Sequence, residues 1–240
     1  MLSSRQILLL STSRVHGYEF LEYAKEHIDK LLRGNNVTNL LFIPYALKDH
    51  DFYLARVDAV LSKWGYNVTS IHKGDPKTLI QAAQAIYIGG GNTFRLLKAL
   101  YDNDLLDLIR KRVLEEGVLY LGSSAGTNVA TRGIHTTNDM PIVYPPSLDA
   151  LKLVPFNINP HYLDPDLNSV HKGETRQERI LQYQELPEAG VVIGLREGSM
   201  LLIENNTMIL KGLCKSRLFI PGQEPQEIDV GTDLSHLLNR

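Results

Sequence analysis

Residues 118–126 read Val-Leu-Tyr-Leu-Gly-Ser-Ser-Ala-Gly, a short apolar run that passes directly into a turn of small residues. The run predicts a buried strand, and the small residues predict a sharp turn into a helix. Strand, turn and helix form the context in which a G-x-S-x-G motif presents a nucleophilic serine. Gly122 to Gly126 is therefore a candidate nucleophile turn centred on Ser124 rather than Ser123. The competing interpretation is that small residues only let the helix pack closely against the strand.

Outward from this turn, apolar runs alternate with segments of helical spacing. The predicted strands are Gln6 to Ser11, Asn39 to Pro44, Tyr66 to Ile71, Ala85 to Gly89 and Val118 to Leu121. The predicted helices between them are Glu19 to Leu32, Tyr53 to Trp64, Asn92 to Leu100 and Leu105 to Glu116. This alternation predicts an α/β fold with a mostly parallel sheet and helices on both faces, a single-domain three-layer sandwich.

The pattern changes after about Arg132, where loops containing proline replace the regular alternation. A helix is predicted near Glu174 to Gln184, and several short strands are predicted between Val191 and Phe219. Strands so close together predict hairpins at the edge of the sheet near the C-terminus. Because no linker composition divides the chain, we expect residues 1–240 to form a single α/β hydrolytic domain.

The composition narrows the class of protein. The chain is 43% apolar, enough for a large core, and its net charge of -2 offers no broad basic surface for nucleic acid or a membrane. No apolar run approaches the length of a membrane span or a signal peptide core. The single cysteine, Cys214, excludes an internal disulfide and a multi-cysteine metal site. We expect a cytoplasmic protein that acts on small molecules or peptides.

A second turn of small residues, Gly89-Gly90-Gly91-Asn92, also lies between a predicted strand and a predicted helix. Such a turn can direct bare backbone N–H groups at an anion or a developing oxyanion. It lacks the spacing of a Walker loop or a dinucleotide fingerprint, so nucleotide binding is disfavoured. The alternative is a helix capped by Asn92. Both turns follow parallel strands, which places them at the same edge of the sheet.

A nucleophilic serine needs a base, and histidine suits that task near neutral pH. Of the eight histidines, seven occur in segments typical of surface helix, loop or tail. His161 differs because it follows a predicted strand, Val154 to Ile158, in the segment Asn159-Pro160-His161-Tyr162. The proline restricts the local backbone and could hold the imidazole rigidly. His161 is therefore the candidate base.

At this point the chain resembles a known family, peptidase E. These are α-aspartyl dipeptidases, serine peptidases with a class I glutamine amidotransferase-like (flavodoxin-like) fold. The matching stretches run in family order over a little under half of the chain. They are Gly89 to Phe94, Gly122 to Asn128, Thr137 to Pro141, Asn159 to His161, His171 to Arg176 and Gly194 to Gly198.

The resemblance implies Ser124 as nucleophile, His161 as base, and an oxyanion hole formed by the amides of Ala125, Gly90 and Gly91. It implies an acyl-enzyme mechanism that requires no metal and no organic cofactor. It also implies a small peptide substrate with an N-terminal aspartate. The sequence leaves open whether the chain is a monomer or a homodimer.

Two acids compete to orient His161, and both occur in family stretches. Asp139 would give the chain order Ser, Asp, His, and Glu197 would give Ser, His, Glu. We favour Glu197, because it follows the predicted strand that ends at Gly194, and Asp139 would then contact the substrate ammonium or support the site. Either carboxylate could instead be a solvated loop residue.

The resemblance implies Arg176 as the residue that binds the aspartyl carboxylate, with Asn92 as a further substrate contact. Arginine suits this role because its planar guanidinium binds a carboxylate through two parallel hydrogen bonds. Arg132 and Arg196 are alternatives. Arg176 could also simply pair with Glu174 or Glu178 on an exposed turn.

Other functions have less support in the sequence. A metallopeptidase could use a cluster of possible ligands within one loop, namely His161, Asp164, Asp166 and His171, but their spacing fits no helical zinc motif. A glutaminase of the amidotransferase type would need a thiolate where Ser124 stands. A cyanophycin-degrading serine peptidase is a substrate-level alternative. A non-catalytic binding protein would be expected to lack Ser124 or His161, and both are present.

Overall fold

The computed structural model describes residues 5–166, 168, 170 and 172–239. The strands are β1 (Gln6–Leu10), β2 (Asn39–Ile43), β3 (Asn67–Ser70), β4 (Ala85–Ile88), β5 (Leu119–Ser123), β6 (Asn157–Pro160), β7 (Val192–Leu195), β8 (Ser199–Glu204), β9 (Thr207–Gly212), β10 (Ser216–Phe219) and β11 (Gln226–Ile228). The helices are α1 (Lys25–Gly34), α2 (His50–Leu61), α3 (Pro76–Ala82), α4 (Thr93–Asp102), α5 (Leu106–Leu114), α6 (Ala125–Val129) and α7 (Arg176–Tyr183).

The larger sheet has seven strands in the order β3-β2-β4-β5-β1-β8-β9. Strands β1 to β5 are mutually parallel, and β8 and β9 form an antiparallel hairpin at one edge. This sheet confirms the predicted mostly parallel arrangement and one of the predicted edge hairpins. Strand β5 lies near the centre and is buried along its whole length.

Alternate residues of each central strand point to opposite faces of the sheet. In β1, Ile7 and Leu9 pack into one core cluster, whereas Leu8 and Leu10 pack into another. Helices α1 and α2 cover the second face, and α3, α4 and α5 cover the first. The predicted three-layer sandwich is therefore confirmed, and the near-continuous apolar strands reflect burial on both faces.

A smaller sheet has the order β11-β10-β7-β6, and one set of its apolar residues packs into the same cluster as α3, α4 and α5. Val192 and Phe219 instead pack with Ile180 of α7 in a separate small cluster. Within it, β6 and β7 are parallel neighbours, and Pro160 lies opposite Leu195. The sequence analysis did not foresee this sheet; it placed all the late strands at the edge of the main one. The sequence of a short strand does not indicate which strand it pairs with. The pairing depends on partners that are far apart along the chain.

Helices differ from the prediction where a capping residue, rather than the apolar periodicity, determines where the helix begins. Helix α2 begins at His50, three residues early, because the side chain of Asp49 accepts a hydrogen bond from the Phe52 amide at 2.9 Å. Helix α3 was not predicted, although Asp75 caps it and Pro76 occupies its first turn. None of the helices among the described residues has the length and apolarity needed to cross a membrane.

Candidate active site

Ser124 stands at the junction between β5 and α6. Its φ is +53° and its ψ is -109°, a backbone conformation that a residue with a side chain rarely adopts. The amide of Ser124 donates a 3.1 Å hydrogen bond to the carbonyl of Leu10 at the end of β1, which fixes the strained turn to the sheet. Such strain persists where the surroundings impose it, and it is typical of nucleophile turns.

The two glycines of the nucleophile turn are required by close packing. A Cβ on Gly126 would come within 2.0 Å of the carbonyl oxygen of Ile88, and a Cβ on Gly122 would come within 2.7 Å of the carbonyl oxygen of Gly126. Only a residue without a side chain fits at either contact. The interpretation that small residues permit close packing is therefore correct, and it coexists with the partly exposed placement of Ser124.

His161 lies against the nucleophile. Its Nε2 is 2.9 Å from the Oγ of Ser124. His161 directly follows β6 and has a φ of +54°, so its imidazole is presented from a turn as well. The distance is that of a hydrogen bond suited to proton transfer from a serine hydroxyl.

Glu197 holds the other side of the same imidazole. Its Oε1 is 2.7 Å from Nδ1 of His161. The two residues meet because they follow the parallel strands β6 and β7, in which Pro160 and Leu195 are register partners. The structure therefore brings Ser124, His161 and Glu197 into one hydrogen-bonded chain.

Asp139, the competing acid, is placed elsewhere. Its Oδ2 accepts hydrogen bonds from the amide of Thr93 at 2.8 Å, from the hydroxyl of Thr93 at 2.6 Å and from the hydroxyl of Thr137 at 3.2 Å. These contacts put the carboxylate at the start of α4, where a negative charge is favourable. Of the two acids that the sequence left open, Glu197 is the one that contacts His161.

Ser11 is a site residue that the sequence analysis missed. Its Oγ accepts a 2.9 Å hydrogen bond from the amide of His161 and donates one of 2.7 Å to the carbonyl of Leu195. Ser11 follows β1, the neighbour of β5 in the main sheet, so it joins the larger sheet to the two strands that carry the base and the acid. Its position as the last residue of a predicted strand was the available signal.

The turn Gly89 to Asn92 lies beside the nucleophile. A Cβ on Gly90 would stand 3.0 Å from the Cβ of Ser124. Gly91 has a φ of +135°, and a Cβ there would come within 2.6 Å of the carbonyl oxygen of Ala46. Gly90 is needed because there is no space for a side chain. Gly91 is needed for the same reason and because its φ is positive.

The amides of this turn have different partners. The first, from Gly89, approaches the carbonyl of Ile43 at 3.5 Å, and the last, from Asn92, donates to the carbonyl of Ala46 at 2.9 Å. Burial raises the pKa of Tyr53 to about 12, and a hydrogen bond from the backbone of Gly90 opposes that rise. The hydroxyl of Tyr53 lies near this turn, where a Cβ on Gly89 would come within 2.3 Å of it.

Two amides near Ser124 have no acceptor recorded among the described residues, those of Gly91 and Ala125. Ala125 is the first residue of α6, where an amide has no intrahelical partner. Helix α6 has only five residues, so the amide itself contributes more than any helix dipole. Of the three predicted oxyanion donors, Gly91 and Ala125 are available, and the amide of Gly90 lies near the hydroxyl of Tyr53.

Asn92 has a structural use at both ends of its side chain. Its Oδ1 accepts a 3.0 Å hydrogen bond from the amide of Arg95 and caps α4, and its Nδ2 donates to the carbonyl of Met140 at 2.9 Å. The capping interpretation of this residue therefore describes its observed contacts. Its predicted role in substrate binding gains no support from them.

Arg176 begins α7 and is not held by either acid suggested as its pairing partner. Glu178 forms a reciprocal capping box with Thr175, and Glu174 lies 3.6 Å from Arg179. Burial lowers the pKa of Arg176, and the negative charge of Asp139 opposes that change. The guanidinium is thus partly desolvated, within the field of Asp139, and borders a cavity of about 380 Å³.

The alternative arginines are placed differently. Arg196 donates two hydrogen bonds to Asp164, at 2.6 and 2.7 Å, and two to Glu227, at 2.7 and 2.9 Å. It ties the loops after β6 and β7 together and has no free donor face for a substrate. Arg132 lines cavities near Phe156 and His135, at the other ends of these strands.

The proposed metal cluster is not supported by geometry. Across the part of the chain that the structure describes, no group of three or more histidine, cysteine or acidic side chains is close enough to hold a metal ion. Asp164 is bound by Arg196 instead. His171, the fourth member of the predicted cluster and part of a family stretch, lies outside the described residues.

Comparison with known proteins places this arrangement in context. A sequence model of peptidase family S51 matches residues 7–211, a range that includes every residue of the candidate site. The chain is 52% identical to a Drosophila melanogaster protein named "Probable alpha-aspartyl dipeptidase", over the full length of both chains. It is 49% identical to "Peptidase E" of Streptomyces coelicolor, covering 97% of this chain and 95% of that one.

Among solved structures, a peptidase from an acI-B1 actinobacterium superposes with a TM-score of 0.71 over 97% of each chain. The two chains are 18% identical, so the likeness concerns the fold.

Proposed function

The chain belongs to peptidase family S51, and we propose that it is a serine dipeptidase that hydrolyses dipeptides with an N-terminal aspartate. The observation that carries the proposal is the chain of contacts from Ser124 Oγ to His161 Nε2, at 2.9 Å, and from His161 Nδ1 to Glu197 Oε1, at 2.7 Å. These are the contacts that a serine nucleophile, its base and its orienting acid require.

Catalysis begins when the hydroxyl of Ser124 attacks the peptide carbonyl and gives its proton to Nε2 of His161. The carbonyl oxygen becomes an oxyanion, and the amides of Gly91 and Ala125 donate hydrogen bonds to it. His161 then protonates the departing amine. Water attacks the aspartyl ester with His161 again as base, and Ser124 recovers its proton as aspartate leaves.

Glu197 accepts a hydrogen bond from Nδ1–H of His161. This contact keeps the unprotonated nitrogen facing Ser124 and stabilises the imidazolium that forms during each step. Ser11 complements it by fixing the backbone of His161. The base is therefore oriented from two sides, by a side chain and by the main chain.

Substrate recognition uses charges of both signs. Arg176 binds the aspartyl carboxylate, a role that suits a partly buried guanidinium with no acid bound to it in the recorded contacts. Asp139 Oδ2 is used at the start of α4, and its second oxygen, Oδ1, faces no recorded donor among the described residues. That oxygen is the candidate partner for the substrate ammonium.

The chain acts as one α/β unit in the cytoplasm on small peptides. A reducing compartment suits a protein whose single cysteine, Cys214, has no partner for a disulfide.

Replacement of Ser124 by alanine tests the chemistry. Turnover of Asp-Leu should fall by about 10⁴-fold or more, because the acyl-enzyme can no longer form. Ser123→Ala is the matched control, because Ser123 is buried and its hydroxyl contacts Tyr87 at 3.1 Å rather than the site. Retention of full activity in Ser124→Ala would rule out a serine mechanism.

A substrate panel tests the specificity. Asp-Leu should be hydrolysed much faster than Glu-Leu, Asn-Leu or N-acetyl-Asp-Leu, since these change the length, the charge or the free ammonium of the substrate. Equal rates on the acetylated peptide would contradict a dipeptidase. Arg176→Met should remove the preference for Asp-Leu over Asn-Leu, and an unchanged preference would assign the carboxylate contact to another residue.

A further inference from the structure

A cavity of about 680 Å³ lies at the opposite end of the strands that carry the candidate site. It is bordered by Arg5, Phe156 and Val191, which immediately precede β1, β6 and β7. Its volume falls within the range of roughly 300–1,000 Å³ typical of small-molecule pockets. Neither the proposed reaction nor any residue of the candidate site uses it.

The charges around this basic cavity are all of one sign. Arg5, Arg132 and Lys152 line it, and none of its lining residues is acidic. Lys152 pairs with Asp149 at 2.7 Å, which leaves the two arginines as the lining cations without an ion pair among the described residues. Arg132 lies directly against Gly190, where a Cβ would come 2.8 Å from its Nη1, so its guanidinium is positioned by the wall of the cavity.

Arg5 presents buried donors without acceptors. Its Nε and Nη1 are inaccessible to solvent and have no hydrogen-bond partner among the described residues. Burial also lowers the pKa of this arginine. A buried polar group without a partner is costly, and for a guanidinium the cost is larger than for a neutral group. An anionic acceptor in the cavity would remove that cost once the Arg5 side chain turned to bring these nitrogens to the cavity surface.

The rest of the wall is apolar. Leu153, Phe156, Val191, Leu237 and Leu238 supply most of the lining beyond the cations. A ligand that fits both parts must combine a negative head with an apolar body. An amino acid or dipeptide fits poorly, because its ammonium would meet cations and no acid. The site therefore differs in chemistry from the catalytic one, which needs charges of both signs.

We propose that this basic cavity binds a carboxylate with an apolar chain, such as a medium-chain fatty carboxylate. Arg5 turns its guanidinium toward the cavity and binds the carboxylate through two neighbouring nitrogens, and Arg132 supplies the second cation. The apolar chain packs against Phe156 and the leucines near the C-terminus. A planar guanidinium matches a carboxylate through two parallel hydrogen bonds, which is why this head group is preferred.

Thermal unfolding with three probes tests the proposal. Sodium octanoate should raise the Tm, on the order of 5 °C at about 100 times its Kd, because it binds only the folded chain. Octylamine has the same chain with the opposite charge, and acetate has the charge without the chain. Neither should raise the Tm at the same concentration. An equal rise with octylamine would overturn the proposal, as would no rise with octanoate.

Arginine replacements locate the site. Arg5→Met and Arg132→Met should each weaken octanoate binding by at least tenfold in isothermal titration, and the double variant should abolish it. Lys63→Met, a change of an exposed cation elsewhere, is the control and should bind normally. Circular dichroism verifies that each variant is folded, independently of any enzymatic activity. Undiminished binding by the folded double variant would place octanoate elsewhere and reject the assignment.

Discussion

Strands β1, β6 and β7 have two chemically different ends. At the carboxyl ends, Ser11, His161 and Glu197 are joined to one another or to Ser124 by hydrogen bonds of 2.7 to 2.9 Å. At the amino ends, two nitrogens of Arg5 are buried with no recorded partner. The same short strands thus hold a network that is complete before substrate arrives and a cation that lacks an acceptor among the described residues.

The difference teaches how polar groups at a strand end can be interpreted. Paired groups at fixed distances are preorganised for chemistry, since the geometry exists before the reaction begins. An unpaired buried donor instead indicates a missing partner. Replacing a paired group should therefore reduce the reaction rate. Replacing an unpaired buried donor should reduce ligand binding without slowing the reaction.

The largest effect should come from the acid that contacts His161. Glu197→Gln removes the negative charge next to Nδ1, so we expect kcat for Asp-Leu to fall on the order of 10²- to 10⁴-fold. Asp139→Asn should leave kcat within about tenfold and act mainly on KM, because Asp139 lies at the start of α4. Steady-state kinetics of both variants decide between the acids. A larger fall in kcat for Asp139→Asn would reverse the assignment.

A smaller effect on kcat is expected from replacing Tyr53, which supports the candidate active site indirectly. Its hydroxyl lies against the turn beside Ser124, where a Cβ on Gly89 would come within 2.3 Å of it. Tyr53→Phe removes the hydroxyl that supports the turn presenting Gly91, so kcat should fall about tenfold. KM should hardly change, because Tyr53 is buried and other residues bind the charged groups of the substrate.

Phe42→Leu is the control for Tyr53→Phe. Phe42 packs edge-on against Tyr53, with ring centroids 4.9 Å apart, and its side chain has no group that forms a hydrogen bond. It should lower the Tm with little change in kcat. If both variants lose stability and keep their kcat, Tyr53 has only a packing role.

Arg196 allows a test by pH. Its hydrogen bonds lower the pKa values of Asp164 and Glu227 below those of the unfolded chain. A lowered folded pKa adds stability above the unfolded value, near pH 4, and that stability is lost as the pH falls through the folded value. Arg196→Met should therefore lower the Tm by roughly 2–4 °C at pH 7.

The difference in Tm between Arg196→Met and the unchanged chain should shrink between about pH 5 and pH 3, where both acids lose their charge in the unfolded chain. Differential scanning calorimetry at several pH values measures it. Lys215→Met, which breaks an exposed pair with Asp229, is the control and should show a smaller difference at neutral pH. A constant difference for Arg196→Met would show that its stability effect comes from packing against Tyr162 rather than from charge.

The parallel core was predictable because burial on both faces leaves continuous apolar runs in the sequence. Ser124 was predictable because a strained turn requires glycines at fixed spacing, and His161 because it follows a strand and a proline. The second sheet was not, since its strands are short and their partners are distant in sequence. Ser11 and Tyr53 escaped notice for a related reason, because each acts through main-chain atoms that the sequence does not distinguish.

The smallest effect on catalysis is expected at the incomplete end. Arg5→Met removes a guanidinium whose buried nitrogens have no recorded acceptor and replaces it with an apolar side chain of similar reach. Kinetic constants for Asp-Leu should be unchanged, because Ser124, His161 and Glu197 lie at the other ends of the strands. The Tm without ligand should stay equal or rise, since the cost of the unpaired group disappears. A marked fall in Tm would mean that Arg5 already has a partner, and the two ends would then be alike.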